Sequence, residues 1–264
     1  MIRPMTTRTL AALTIPALTV LLAGCASSPG TFAEAREINN RDESVAKIFP
    51  DDVVVGTLYD DRGIPRYQAR ASDLTIEEIA EELRQMRLLD QELVRESTDF
   101  TPLPAGELAR IAEIDRSHAK RLAEIVDCVG WPTRELVGAE AAQGAFVVVQ
   151  HAGHDAAFQN RCLTLMVDQV EQGKLPAPYV ALLTDRIRLF ADQPQVFGTQ
   201  MTFITGADGI ARCTPAVPID DPANLDARRE LMGLAPHDTF VAQLEEAYQN
   251  QHGGAFASVL TDTE

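Results

Sequence analysis

From residue 75 onward, apolar side chains recur every three or four residues, in segments separated by glycine or proline. This spacing places them on one face of an α-helix, so each segment predicts a helix with one side turned toward a core. The segment Thr75-Ile76-Glu77-Glu78 has the pattern of a capping box and opens the first helix. The predicted helices are 75–97, 106–127, 139–150, 155–172, 178–192, 224–232 and 238–248.

The period changes between residues 195 and 217, where partly alternating segments flank Gly206-Ala207-Asp208-Gly209. This pattern is typical of a β-hairpin. Residues 45–72 are ambiguous and could contain short strands. We therefore predict a mainly α fold, a multi-helix single domain over residues 45–250 with one β-hairpin near 195–217, followed by a frayed tail at 251–264.

The N-terminal 24 residues have the pattern of a secretory signal peptide, because arginines precede an apolar stretch too short for a membrane span. The stretch ends in Leu22-Ala23-Gly24-Cys25, which resembles the lipobox of bacterial lipoproteins. We expect residues 1–24 to be removed and Cys25 to be acylated, anchoring the protein to a lipid membrane. Residues 25–44 then form a flexible tether.

Ala26 follows the cysteine, and the resemblance to proteobacterial lipoproteins favours the outer membrane when this residue is not aspartate. We expect an exported cell-envelope lipoprotein, on the periplasmic face of the outer membrane where the host has one. The net charge is −16, which argues against nucleic-acid binding and against electrostatic docking on anionic lipid.

Charged side chains interrupt three of the predicted apolar faces. Asp90 lies within the face of the first helix, Asp115 within that of the second with His118 at its margin, and Arg186 at the centre of the 178–192 face. A charge on a core-facing stripe is costly unless it is paired. We therefore predict one network with Arg186 as its bidentate hub. Both a structural ion pair and a functional polar pocket would explain it.

Short motifs follow one another along the chain: Gly130-Trp131-Pro132-Thr133, Gln150-His151-Ala152, Phe158-Gln159, Leu183-Thr184-Asp185-Arg186, Phe197-Gly198-Thr199-Gln200 and Arg228-Arg229. As an ordered set over about residues 78–248, they resemble a widespread bacterial domain family of unknown function. The resemblance implies one coherent domain and no particular activity. It implies that a set of polar residues defines the domain: Gln150, His151, Asp155, Gln159, Asp185, Arg186, Gln195 and Gln200.

His151 and Asp155 fall in one predicted corner between two helices. A carboxylate near Nδ1 of a histidine can fix its tautomer and raise its basicity. With Arg186 to hold an anion, these residues are candidate catalytic groups of a hydrolase or transferase. A hydrogen-bonded histidine that closes a helix end is the alternative.

A metal-dependent variant stays open, because four residues follow the ligand order of HD-type metal phosphohydrolases: His118, His154, Asp155 and Asp185. Against a divalent metal, the His-Asp pair follows Gly153 at a helix break, whereas that superfamily carries it within a helix. No cofactor is otherwise evident, since both common nucleotide-binding glycine loops are missing from the sequence.

The sequence thus predicts an envelope lipoprotein whose helical domain binds a protein partner or a small ligand of unknown identity. An envelope hydrolase that uses a His/Asp/Arg pocket is the alternative, so enzymatic activity is left open. Seven further polar residues are expected to line a ligand site or to form a buried network: Asp90, Asp115, Gln150, Gln159, Asp185, Gln195 and Gln200.

Overall fold

Helices account for most of the chain in a computed structural model that describes residues 57–97, 103–206 and 211–259. The predicted signal peptide, Cys25 and the tether lie outside the described residues. Contacts group the chain into two compact units, one ending at Tyr179 and one beginning at Val180. We call them the first and second units. The helices are α1 (Ile76–Ser97), α2 (Ala105–Val129), α3 (Arg134–Val137), α4 (Ala139–His151), α5 (Ala156–Glu171), α6 (Ala177–Phe190), α7 (Leu225–Leu231) and α8 (His237–Val259).

The described strands form two antiparallel pairs. The predicted hairpin is confirmed: β3 (Met201–Thr205) pairs with β4 (Ala211–Pro215). A second hairpin, β1 (Thr57–Tyr59) with β2 (Pro65–Tyr67), lies within the segment that the sequence left ambiguous. The mainly α fold is therefore confirmed, with α3 and the first hairpin as additions.

Local sequence signals explain where two of the helices begin. The Thr75 amide donates to the Glu78 carboxylate at 2.8 Å and the Glu78 amide donates to Thr75 Oγ1 at 3.2 Å, which is the predicted capping box of α1. Asp155 caps α5, because its carboxylate accepts a hydrogen bond from the Phe158 amide at 2.9 Å.

The core of the first unit surrounds α4, which is apolar on all sides as expected for a central helix. Its Gly144 packs directly on the backbone of Leu83 in α1, and a β-carbon at this position would overlap the Leu83 carbonyl oxygen. The absence of a side chain at Gly144 therefore sets how closely α1 and α4 approach. This contact positions Asp90 and His151, which follow it along the same two helices.

The cysteines beyond Cys25 are free thiols in the structure. Cys162 is fully buried, and burial raises its pKa to about 12. A thiol with such a pKa is an inert packing group rather than a nucleophile. Among the residues that the structure describes, no helix is both long and apolar enough to cross a lipid bilayer.

Candidate functional site

Three helices of the first unit bring two aspartates to one histidine. Asp90 comes from the middle of α1, Asp115 from α2, and His151 is the last residue of α4. Asp90 Oδ1 lies 2.9 Å from His151 Nδ1, and Asp115 Oδ1 lies 3.9 Å from the same atom. The first distance is that of a hydrogen bond and the second is not. The group that joins these aspartates in the first unit is therefore His151.

The site is half-buried, and burial separates the protonation behaviour of its members. Burial raises the pKa of Asp115 to about 6, with repulsion by Asp90 adding to the shift and the nearby His151 opposing it. Burial also lowers the pKa of His118 to about 4, against the attraction of Asp90. Near neutral pH, Asp115 is thus ready to exchange a proton while His118 stays neutral.

These four residues line a cavity of about 10 Å³, together with apolar side chains of α1, α2 and α4. Its volume is about that of one water-sized group. His118 is buried, with only 5% of the residue exposed. The cavity therefore offers two carboxylates and an imidazole to a small polar group, with the aspartate side chains partly open to solvent.

The structure places Asp155 at the N-terminus of α5. Its carboxylate caps α5, and the carboxylate beside His151 Nδ1 is that of Asp90. His154 and Asp155 are both exposed. The buried Nε2 atom of His151 is not accessible to a substrate in this conformation.

No group of three or more His, Cys, Asp or Glu side chains arranged to hold a metal occurs within residues 57–97, 103–206 and 211–259. Asp185 is one of the four residues suggested for a divalent metal. Its carboxylate already accepts hydrogen bonds from backbone amides of the second unit.

In the second unit, Asp185 holds the segment that precedes β3. Its buried carboxylate accepts hydrogen bonds from the amides of Val196, Phe197 and Thr199, at 2.7–3.2 Å, and from the Thr199 hydroxyl at 2.9 Å. A carboxylate with this many donors is stable without a cationic partner. The alternating residues 195–200 therefore form a loop on α6 rather than the start of a strand.

Two glutamines complete this loop. Gln195 donates to the carbonyls of Gln200 and Val217, at 2.8 and 3.0 Å, and accepts from the Gln200 amide at 2.6 Å. The Gln200 side chain donates to Thr199 Oγ1 at 3.1 Å. Asp185, Gln195 and Gln200 thus form a buried network whose hydrogen bonds go to backbone groups and to the Thr199 hydroxyl.

Two arginines of α7 hold the same loop from outside this network. Arg228 Nε donates to the Val196 carbonyl at 2.8 Å, and Arg229 Nη1 donates to the Phe197 carbonyl at 2.6 Å. In the sequence, Arg228-Arg229 is part of a family motif that indicates no role for either residue. The buried Arg186 lies on α6, and burial lowers its pKa to about 10. Its predicted link to Asp90 and Asp115 stays a prediction.

The remaining predicted glutamines are buried near the end of α4. Gln159 Nε2 donates to the Val149 carbonyl at 2.9 Å, which ties α5 to α4. Gln150 is fully buried next to His151 in sequence. Both positions are consistent with a role in holding the histidine-bearing helix end.

A buried ion pair in the first unit was not predicted at all. Arg121 Nε and Nη2 donate to the two carboxylate oxygens of Glu82 at 2.7 and 3.0 Å, and both side chains are at most 1% exposed. Arg121 also donates to the Ala69 carbonyl and to Glu124. A sequence signal existed, since Arg121 lies two helical turns after the buried Ile114 and so shares its face.

Comparison with known proteins identifies a family whose function is unknown. The model of a family described as "Family of unknown function (DUF6624)" matches residues 77–252. This span agrees with the resemblance predicted for residues 78–248, which is thereby confirmed. No curated protein and no solved structure matches the chain.

Proposed function

Because the chain belongs to the DUF6624 family of unknown function, we propose its role from its own residues. We propose a cell-envelope lipoprotein, anchored through acylated Cys25, whose helical domain binds a small ligand or a partner side chain at Asp90, Asp115, His118 and His151. The bound group is a protonated primary amine. Binding occurs without catalysis.

One observation carries the binding proposal: two aspartates and a buried histidine face one cavity of water-sized volume. An ammonium group is about the size of a water molecule and donates three hydrogen bonds, which two carboxylates and a neutral imidazole can accept. His118 supports this assignment, because its lowered pKa keeps an acceptor nitrogen available near neutral pH. The aliphatic part of the amine would extend through the partly exposed side of the site.

The hydrolase alternative is supported by a different observation, the contrast between the two aspartates. The pKa of Asp115 is raised to about 6, as it is for many general acids, and Asp90 Oδ1 lies 2.9 Å from His151 Nδ1. In this reading a water in the cavity passes its proton to the Asp90–His151 pair as it attacks, and protonated Asp115 donates to the leaving group. The buried Nε2 of His151 favours binding over this reaction.

Anchoring is tested by Cys25→Ser in the full-length protein. The wild type should incorporate labelled palmitate and sediment with membranes, and the variant should do neither. Ser27→Ala, two residues away, is the matched control and should behave as wild type. Equal labelling and sedimentation of Cys25→Ser would rule out the proposed anchor.

Amine binding is tested on the detergent-extracted full-length protein with methylammonium at pH 8, read by thermal shift and by NMR of the histidine rings. The wild type should be stabilised in a saturable manner, and Asp90→Asn should not. Asp168→Asn, on the exposed surface of α5, controls for loss of one negative charge. A response that is equal in the wild type and Asp90→Asn would contradict the site. Hydrolysis of p-nitrophenyl esters that is lost in His151→Asn but not in Asp168→Asn would instead support the enzyme.

A further inference from the structure

A second concave site lies on the hairpin side of the first unit. It is a groove of about 400 Å³ between β2 and one face of α2. Its volume falls in the range of small-molecule pockets, whereas the cavity at His151 does not. Ile64, Pro65 and Tyr67 contribute apolar surface to one wall, and Ser117 fastens that wall to α2 by donating to the Pro65 carbonyl at 2.6 Å.

Each acidic side chain of this groove has an arginine partner. Glu113 receives a bidentate pair of hydrogen bonds from Arg62, at 3.0 and 2.7 Å, which lowers the pKa of Glu113. Glu124 accepts a hydrogen bond from Arg121 at 2.8 Å, and the same guanidinium forms an ion pair with buried Glu82. Glu113 is therefore neutralised within its own ion pair, whereas Glu124 shares the single charge of Arg121 with Glu82.

Two cations on the same wall have no ion-pair partner among the described residues. Arg116 and Lys120 lie one turn apart on α2, both are exposed, and neither forms an ion pair with any residue that the structure describes. Side chains four residues apart on a helix lie on one face, so their charges act on the same point of the groove. Arg66 on β2 also lines the groove and forms an ion pair with Asp60 at 3.1 Å.

We infer that this groove binds a phosphate-bearing ligand. Arg116 and Lys120 together carry two positive charges without an ion-pair partner among the described residues, which suits the charge of about −1.5 to −2 carried by a phosphate monoester at neutral pH. Arg116 supplies the planar donors that suit phosphate oxygens, and Lys120 supplies a point charge beside it. An apolar part of the ligand would lie against Tyr67, whose ring is held under the Arg121 guanidinium at 5.0 Å. The site is separate from the cavity at His151 and does not depend on the proposed amine ligand.

The ligand could be a soluble phosphorylated compound or a phospholipid headgroup, and two probes distinguish them. Phenyl phosphate is titrated calorimetrically into the detergent-extracted full-length protein, and phosphatidic acid vesicles are offered in a flotation assay. Arg116→Ala/Lys120→Ala is compared with Arg134→Ala/Lys174→Ala, which removes the same charge from exposed positions outside the groove. Lys120→Ala alone provides a second variant, because Arg116 also influences Asp115.

We expect the wild type and the Arg134/Lys174 variant to bind one of the probes equally. The Arg116/Lys120 variant should bind it at least about tenfold more weakly, with an unchanged thermal midpoint. Binding of phenyl phosphate would identify a soluble ligand, and binding of vesicles alone would identify a headgroup. The inference is overturned if neither probe binds, or if the two double variants lose affinity equally.

Discussion

His151 Nδ1 lies 2.9 Å from Asp90 Oδ1 and 3.9 Å from Asp115 Oδ1. One imidazole thus lies within ion-pair distance of two carboxylates, and only the nearer one is within hydrogen-bond distance. Asp115 is desolvated by the same helices and lies beyond hydrogen-bond distance of His151 Nδ1. Burial disfavours its charged form and raises its pKa to about 6. Burial is therefore the main cause of the raised pKa of Asp115, and the nearby His151 only opposes it.

The first prediction concerns how Asp115→Asn changes the pH dependence of stability. The pKa of Asp115 is about 6 in the folded protein, against 3.8 without the shift, so the folded state binds this proton more tightly. Its favourable contribution is fully present below pH 3.8 and is lost as the pH rises through about 6. Asp115→Asn should therefore gain stability relative to the wild type between pH 4 and 7, by up to about 3 kcal/mol. Urea denaturation across this range measures the difference.

His118→Gln provides the opposing test in the same titration. The pKa of His118 is lowered from 6.5 to about 4, so its contribution is present above pH 6.5 and is lost as the pH falls through about 4. The wild type should lose stability relative to His118→Gln as the pH falls, which is the opposite slope. Parallel slopes for the two variants would show that burial does not control these groups as we describe.

The second prediction concerns the buried pair of Glu82 and Arg121. Arg121→Met leaves the Glu82 carboxylate buried without its bidentate partner, and we expect a loss of about 3–5 kcal/mol in the free energy of unfolding. Glu82→Met/Arg121→Met should recover most of this loss, because no charge is then stranded. Chemical denaturation measures both.

Arg161→Met is the matched control, since Arg161 pairs with Asp127 on the surface. It should lose no more than about 1 kcal/mol. If Arg121→Met were as mild as this control, the pair between α1 and α2 would not be a structural element of the core.

The third prediction concerns Asp185 and the loop that it holds. Asp185→Asn replaces one acceptor oxygen by a donor that faces the loop amides, so we expect a loss of about 3 kcal/mol or more. Hydrogen exchange at the Val196 and Thr199 amides should become faster. Asp192→Asn changes an exposed aspartate at positive φ, where asparagine is tolerated, and should leave exchange at both amides unchanged. Unaltered exchange in Asp185→Asn would contradict the assigned role.

Helical periodicity was enough to predict most helices and to single out Asp90 and Asp115, because a 3.6-residue repeat specifies which face a residue occupies. It does not specify the partner across the interface, so His151 was matched with Asp155 in sequence rather than with Asp90 in space. The alternation of residues 195–200 indicates a strand, but in the structure these residues form a loop. The loop amides donate hydrogen bonds to the Asp185 carboxylate, so they are not available to pair with a neighbouring strand.

The fourth prediction uses two glycines that lie in helices but in different surroundings. A β-carbon at Gly144 would overlap the Leu83 carbonyl oxygen, and that atom is backbone and cannot rotate away. Gly144→Ala should therefore separate α1 from α4 and destabilise the protein by about 1–3 kcal/mol despite its better helix propensity. Because Asp90 lies on α1 and His151 on α4, the variant should also weaken methylammonium binding. Gly106→Ala, with nothing within 4 Å of the added carbon, should be neutral or stabilising. Equal effects of the two substitutions on stability would show that the close approach of these helices does not depend on Gly144.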